Sequence, residues 1–397
     1  MSESIENIVI LGAGHAGASA AFELRRRDFD GRIILVGDEQ EPPYERPQLS
    51  KEMLRKEPVA LRHHQTAQEY EDEAIELFLG DAAVRVDAVT RTVHLASGMQ
   101  LPYDRLLVAT GTRARKLVGI PEDHVAYLRT ATDAKVLCAH LDAARRIVIV
   151  GGGVIGLEVA SAISARGGHP VVLEREPRLM SRSLDELVAG HLEKVHIDRG
   201  VRFVYGVTVK SFEAGLLVLS DGTELPADEL VVGIGVEPNI EALAGLRITD
   251  AHGVQVDALG RTAIPEIYAT GDVASQPREG AYGRIETWAN AQDHSAHVAR
   301  NLVGGEEPYT APPWFWSDQG DVRVQVVGNV TRGSRHLRGT VESGKFSAFY
   351  LEPDGTILGC AAVNAPSDMV VARRWMIDEV KVAPDRLGAP DLQAARR

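Results

Sequence analysis

Cysteine is the scarcest residue with redox or metal chemistry in this chain. Two occur in 397 residues, Cys138 and Cys360, and neither belongs to a Cys-x-x-Cys pair. That argues against a redox-active dithiol and against zinc or iron–sulphur centres built on cysteine. Each thiol alone reads as a small buried hydrophobe, and so low a count fits the reducing cytoplasm expected as its compartment. Positive charge is also in deficit: 43 basic residues face 56 acidic ones, a net charge of −13. A general nucleic-acid binder would show a basic face; a local basic patch for an acidic protein partner stays compatible. No apolar run approaches the ~20 residues that span a bilayer. The opening Ser2–Asn7 is polar and Ile8–Leu11 too short for a signal-peptide core, so no membrane association is expected. Thirteen histidines occur, His63-His64 as a pair, but none has carboxylate or cysteine neighbours at metal-binding spacing, and no metal is expected.

Glycine, in contrast, is abundant: 38 residues, concentrated at strand–helix turns. Two stretches repeat one pattern of apolar strand, glycine turn, helix and second strand. The first runs Ile8–Leu11, then Gly12-Ala13-Gly14-His15-Ala16-Gly17, then a helix over Ala18–Arg27 and a strand over Arg32–Val36. The second runs Ile147–Val150, then Gly151-Gly152-Gly153-Val154-Ile155-Gly156, then Leu157–Arg166 and Pro170–Leu173. Continuous apolar strands of this kind suit a parallel sheet covered on both faces, so each copy reads as a βαβ unit.

Both turns carry the Gly-x-Gly-x-x-Gly spacing of a dinucleotide site. The first glycine permits the tight turn, the second lets a pyrophosphate approach the main chain, and the third lets helix and strand pack closely. The helix N-terminus then offers free N–H groups to the phosphates. His15 and Ala16 in the first turn, and Val154 and Ile155 in the second, count with the glycines as cofactor-binding positions. An acidic residue after the second strand should bind a ribose diol. Asp38 and Glu39 stand there in the first copy and Glu174 in the second. A carboxylate at 174 repels a 2′-phosphate and so favours NADH over NADPH, although Arg175 beside it is a residue type that serves NADPH.

The fold class expected is α/β: two Rossmann-like dinucleotide-binding domains of glutathione-reductase type, followed by a small C-terminal α+β domain. The first dinucleotide-binding domain is assigned to 1–112 and 240–310, the second to 113–239, and the last domain to 311–397. Hairpin-like strands are expected at Ala83–Val86 and Thr92–Leu95, a strand at Leu230–Gly235, a helix at Asn290–Leu302, and beyond Pro312-Pro313 strands at Val322–Val327, Lys345–Leu351 and Ile357–Val363, then a helix at Met369–Asp378. Gly388–Arg397 reads as a frayed tail.

Several ordered motifs give the whole chain a resemblance to the FAD-dependent pyridine-nucleotide reductases. Within them it resembles the ferredoxin reductases of bacterial oxygenase systems, the group of putidaredoxin reductase and the biphenyl-dioxygenase reductases. The motifs are the two glycine turns, Pro43-Tyr44-Glu45-Arg46-Pro47-Gln48-Leu49-Ser50-Lys51, Ala109-Thr110-Gly111, Thr270-Gly271-Asp272, and Pro313-Trp314-Phe315-Trp316-Ser317-Asp318-Gln319. Gln48 departs from the family's usual proline and is expected to loosen its loop slightly.

The resemblance implies FAD on the first unit and NADH on the second, and a 2Fe–2S ferredoxin as electron acceptor for a Rieske dioxygenase or cytochrome P450. The protein would act as monomer or homodimer. It implies that Lys51 lies beside the flavin, where a cation stabilises the anionic reduced ring, with Glu158 as its partner. Asp272 would bind the flavin's ribityl or pyrophosphate part, or else cap the following helix. Arg46, Arg129, Val84 and Trp288 match further FAD-contacting positions. Ala109-Thr110-Gly111 would carry the chain between the two domains, and Gly235 its return near the nicotinamide. Trp316 would be an aromatic beside the flavin on the partner's side, or a core aromatic of the last domain. An NADH oxidase, a rubredoxin reductase, or a redox-signalling flavoprotein of apoptosis-inducing-factor type would share this scaffold.

Overall fold

A computed structural model describes residues 5–57, 59–122, 125–141, 145–278 and 281–396. The chain divides into two units, one made of Met1–Arg46, Leu61–Arg113 and Val236–Thr310, the other of Pro47–Ala60, Ala114–Gly235 and Ala311–Arg397.

The first unit is built on five parallel strands in the order Ile267–Ala269, Arg105–Val108, Asn7–Leu11, Arg32–Val36, Ile75–Phe78. Ile8, Val9 and Ile10 are completely buried, each contributing about 1.5–3 kcal/mol by leaving water. One face is covered by the helices His15–Arg26 and Trp288–Leu302. An antiparallel sheet of Ala83–Asp87, Thr92–Leu95 and Gln100–Pro102 helps cover the other. The chain runs from Asn7–Leu11 outward through Arg32–Val36 to Ile75–Phe78 on one side and returns to Arg105–Val108 on the other, which places a topological switch point at the carboxyl end of Asn7–Leu11, directly before Gly12.

The second unit repeats the plan. Its parallel sheet runs Arg202–Tyr205, Val171–Glu174, Ile147–Val150, Glu229–Val232, Val125–Tyr127, with an antiparallel sheet of Val209–Glu213, Leu216–Leu219 and Glu224–Pro226. The C-terminal segment adds five antiparallel strands in the order Trp314–Gln319, Val322–Gly328, Ile357–Val363, Lys345–Leu351, Ser334–Thr340. The helix Pro366–Ile377 closes one face around Trp375, Phe349 and Met369. On the other face Val324, Phe346 and Ala361 share a core with Leu157, Val188 and Leu192.

The chain end corrects the sequence reading. Gly388–Arg396 is not a frayed tail: Leu392–Ala395 is a 3-10 turn, Leu392 and Ala395 are buried, and Arg396 bridges Val382. The apolar pair at 392 and 395, three residues apart, lines up only on such a turn. Helices also start earlier than expected. Trp288–Leu302 begins two residues before Asn290, because Thr287 accepts the Asn290 N–H as cap. Pro366 opens the last helix, where its missing N–H costs nothing.

Candidate functional site

Among the described residues four of the seven α-helices start with a side-chain cap, Thr66, Thr130, Asp185 and Thr287 each accepting an N–H of the first turn, and Pro366–Ile377 opens on a proline instead. The two helices behind the glycine turns do neither. Gly14 and Gly153 occupy their N-caps, no side chain caps them, and no acidic residue sits in either first turn. Their leading N–H groups are therefore left for a ligand.

The glycines divide the work as their chemistry requires. Gly12 and Gly151 have φ of +112° and +113°, a region that side chains avoid. A Cβ on Gly17 or Gly156 would lie 2.0 Å from the carbonyl oxygen of Gly12 or Gly151. At Gly14 and Gly153 a Cβ meets no protein atom within 4 Å. The turns are closed on themselves at their outer positions and open at the middle one, which fits a pyrophosphate. Of the residues they enclose, His15 and Ala16 are buried and Ile155 is exposed.

The carboxylates at the second strands are held in place. Glu174 accepts the Gly152 N–H at 2.7 Å through one oxygen and the Glu176 N–H at 2.8 Å through the other. A Cβ at Gly152 would stand 3.1 Å from that carboxylate, so the extra glycine of this turn makes room for Glu174. Arg175 points to Glu176 at 3.0 Å. In the first unit Asp38 is exposed, whereas Glu39 takes the Arg46 guanidinium at 2.6 Å and the Tyr44 hydroxyl at 2.6 Å.

Around the first turn lies a polar cluster that sequence reasoning missed. The His15 Nε2–H donates to Gln292 at 2.7 Å, and the Ser19 hydroxyl donates to the same oxygen at 3.1 Å. His64 meets Ser19 at 3.2 Å, and the His15 ring lies 4.6 Å from Trp288. Burial holds the His15 imidazole down at about 4, against a weaker opposite push from Gln292. Burial, then the neighbouring His15, brings His64 to about 4 as well. Both are neutral near pH 7. Trp288 donates its indole N–H to Glu45 at 2.6 Å.

Asp272 sits inside the 3-10 turn Gly271–Val273, and Thr287 caps the next helix; the capping alternative for Asp272 is thereby corrected. Val84 has an exposed side chain. The Arg129 N–H is tied to Asp133, directly before the Thr130 cap. Thr110 and Asn239 exchange two bonds, 2.6 and 3.0 Å, beside Gly111 at φ +64°. Ala109 is buried against the Gly12 turn, and Gly235, at φ +102°, accepts the Arg115 N–H.

Lys51 belongs to the second unit, because the loop Pro47–Ala60 groups there. Its ammonium donates to Glu158 at 2.7 Å and to the Pro47 carbonyl at 3.2 Å. Glu158, on the helix Val154–Ala165, is 3% exposed. It also accepts the hydroxyls of Ser50 and, at 2.7 Å, Ser317. A buried ion pair is tolerable only with such additional donors. Gln48 does not loosen its loop: it is buried and donates to the Ala60 carbonyl at 3.2 Å, tying the loop's two ends together. Trp316 is half-buried, 5.7 Å from the Trp314 ring, not a core aromatic. Among the described residues no cluster of His, Cys, Asp or Glu could hold a metal ion, and no helix is long and apolar enough to cross a membrane.

Comparison with known proteins agrees with this geometry. Residues 6–295 match the family described as pyridine nucleotide-disulphide oxidoreductase, and 314–395 match the reductase C-terminal domain. The chain belongs to the pyridine nucleotide-disulphide oxidoreductase family. It is an oxidoreductase that works with FAD and NAD(H), and the two open glycine turns fit those groups. The ferredoxin–NAD(+) reductase component of the p-cumate 2,3-dioxygenase system of Pseudomonas putida is 50% identical over 395 residues, covering 99% of this chain and 98% of that protein. The crystal structure of the ferredoxin reductase for the CYP199A2 system from Rhodopseudomonas palustris matches with a TM-score of 0.93 at 37% identity, covering 99% of this chain and all of that one. The reductase in a covalent putidaredoxin reductase–putidaredoxin complex matches with a TM-score of 0.93 at 33% identity, covering 98% and 99%. Both cysteines of this chain are free, and Cys360 is buried.

Proposed function

We propose that this chain is the NADH-dependent ferredoxin reductase of a bacterial oxygenase system, passing electrons to a 2Fe–2S ferredoxin in the cytoplasm. The observation that carries the reading is the pair of open, uncapped glycine turns in a chain whose two cysteines are unpaired. Two nucleotide sites without a protein dithiol suit electrons that leave through the flavin to an external acceptor. The names of the relatives support the ferredoxin.

Bound FAD supplies the conversion of one two-electron hydride donor into two one-electron transfers. The protein's part is binding and positioning. Gly12, Gly14 and Gly17 would take the FAD pyrophosphate with the N–H groups before Ala16, and Glu39, braced by Arg46, its ribose. Gly151, Gly153 and Gly156 would take the NADH pyrophosphate. Glu174, its orientation set by two backbone N–H bonds, accepts ribose hydroxyls and repels a 2′-phosphate; that Arg175 is spent on Glu176 supports NADH over NADPH. Lys51, held by Glu158, would supply positive charge to the reduced flavin. Asp272, Trp288, Arg129 and the main chain at Val84 would line the FAD, and Trp316 the partner's side.

The deciding experiment is anaerobic. Purified holoenzyme should bleach on adding NADH and regain its yellow colour when an oxidised 2Fe–2S ferredoxin follows, two ferredoxins per NADH. Fast turnover with oxygen and none with any ferredoxin would point to an NADH oxidase and overturn the proposal.

A further inference from the structure

Glu158 is the end of a longer line of hydrogen bonds, all inside the second unit. His196, on the helix Glu186–Asp198, is completely buried and meets the Gln319 side-chain oxygen at 2.8 Å. Gln319 donates its amide to the Ser317 hydroxyl at 3.2 Å, and Ser317 donates to Glu158 at 2.7 Å. Gln319 and Ser317 are both completely buried. They are two residues apart on one strand and so share a face.

The direction of this line is dictated at every link. The Gln319 oxygen is used by His196, which must therefore donate from Nε2. The Gln319 amide nitrogen can only donate. Ser317 has one proton, and the acceptor-only carboxylate takes it. Each bond thus points toward Glu158, whose other oxygen receives Ser50 and Lys51. Burial holds the His196 imidazole in its neutral form, with Gln319 opposing more weakly. Arg199 secures the strand further by donating to the Gln319 carbonyl at 2.8 Å.

We propose that Ser317 and Gln319, anchored on His196, are positioning residues of the reductase: they fix the Glu158 carboxylate and thereby the Lys51 ammonium. The C-terminal segment, through the strand that also carries Trp316, thus sets the placement of a lysine 266 positions earlier in the chain. The inference rests on the reading that Lys51 serves the flavin. Without Ser317 the carboxylate loses its only donor on that oxygen among the described residues, and its orientation rests on Ser50 and Lys51 at the other oxygen alone.

Three variants test this in holoenzyme: Ser317→Ala, Gln319→Met and Lys51→Ala. The readouts are acetylation of Lys51 followed by mass spectrometry, the flavin midpoint potential, and anaerobic bleaching by NADH. Ser317→Ala should raise Lys51 acetylation about tenfold, the loss of one charge-assisted bond, with Gln319→Met smaller in the same direction. Ser317→Ala should lower the midpoint potential and slow bleaching in the direction of Lys51→Ala. In the Lys51→Ala background Ser317→Ala should add no further loss, since its effect passes through the lysine. Wild-type acetylation in folded Gln319→Met and Ser317→Ala would overturn the proposal, as would additive losses in the double variant. If Ser317→Ala fails to fold, Gln319→Met decides. Wild-type bleaching by Lys51→Ala would instead overturn the flavin role of the lysine, while acetylation would still report on the clamp.

Discussion

Replacing Gly153 by alanine separates cofactor binding from folding more cleanly than any other single change. Its backbone, φ −86° and ψ −173°, is an extended conformation that alanine adopts. The added methyl meets no protein atom within 4 Å. Alanine is a somewhat worse N-cap than glycine, but it reduces the entropy of the unfolded chain by about 0.4–1 kcal/mol. Stability should therefore stay within about 0.5 kcal/mol of wild type. In the proposed site the methyl instead occupies the space for the NADH pyrophosphate and displaces one charge-assisted hydrogen bond from the helix N-terminus. That bond is worth about 1.5–3 kcal/mol, a rise of about 10- to 150-fold in the NADH dissociation constant. FAD, proposed to lie on the other glycine turn, should be retained, so the flavin absorbance serves as internal control. The companion change Gly156→Ala puts a methyl 2.0 Å from the Gly151 carbonyl and should lower the unfolding temperature markedly. Anaerobic stopped-flow titration with NADH and a thermal melt read both. An unaltered NADH affinity in Gly153→Ala, or a wild-type melt for Gly156→Ala, would refute the division of labour between these glycines.

Glu174→Arg should weaken NADH and improve NADPH in kcat/KM; unchanged selectivity would mean that the 2′-position is read elsewhere. Stability should fall with acidity because the His15 imidazole is held at about 4 against 6.5. With the folded value depressed, the unfolded chain binds the proton first, so this stability is complete above pH 6.5 and is lost as pH falls toward 4. His15 alone should account for about 1.5–2 kcal/mol of loss between pH 6.5 and 5, and His15→Gln should remove that part of the slope, leaving the part due to His64, in denaturant titrations at those two pH values. The double change Cys138→Ser with Cys360→Ala should leave ferredoxin reduction near the wild-type rate, and alkylating reagents should spare Cys360 in the folded protein, since complete burial pushes its thiol far up. A large loss of turnover would show thiol chemistry after all.

Much of the site is readable along the chain because dinucleotide turns are local. The strand, the turn and the helix of each unit lie within about thirty residues, and glycine is needed at positions set by φ and by a 2.0 Å approach within the same turn. The strands Asn7–Leu11 and Arg32–Val36 follow from continuous apolar runs for the same reason. The Lys51–Glu158 pair was legible only through a family resemblance, since its members stand 107 positions apart. Ser50 and Ser317 lie inside the Pro43–Lys51 and Pro313–Gln319 motifs, yet an uncharged hydroxyl gives no pattern of its own.

What the amino-acid order decided alone is therefore the short-range part: two glycine turns, the carboxylates that follow their second strands, and the want of a dithiol. Tertiary packing decided the rest. It recruited Pro47–Ala60 away from its neighbours in the chain, cleared Gly152 for Glu174, buried His15 against Trp288, and aimed His196, Gln319 and Ser317 at one carboxylate. The physical reason is range. Backbone conformation and periodicity act over a few residues, whereas a buried hydrogen bond requires partners that only the docking of whole sheets and helices brings within 3 Å.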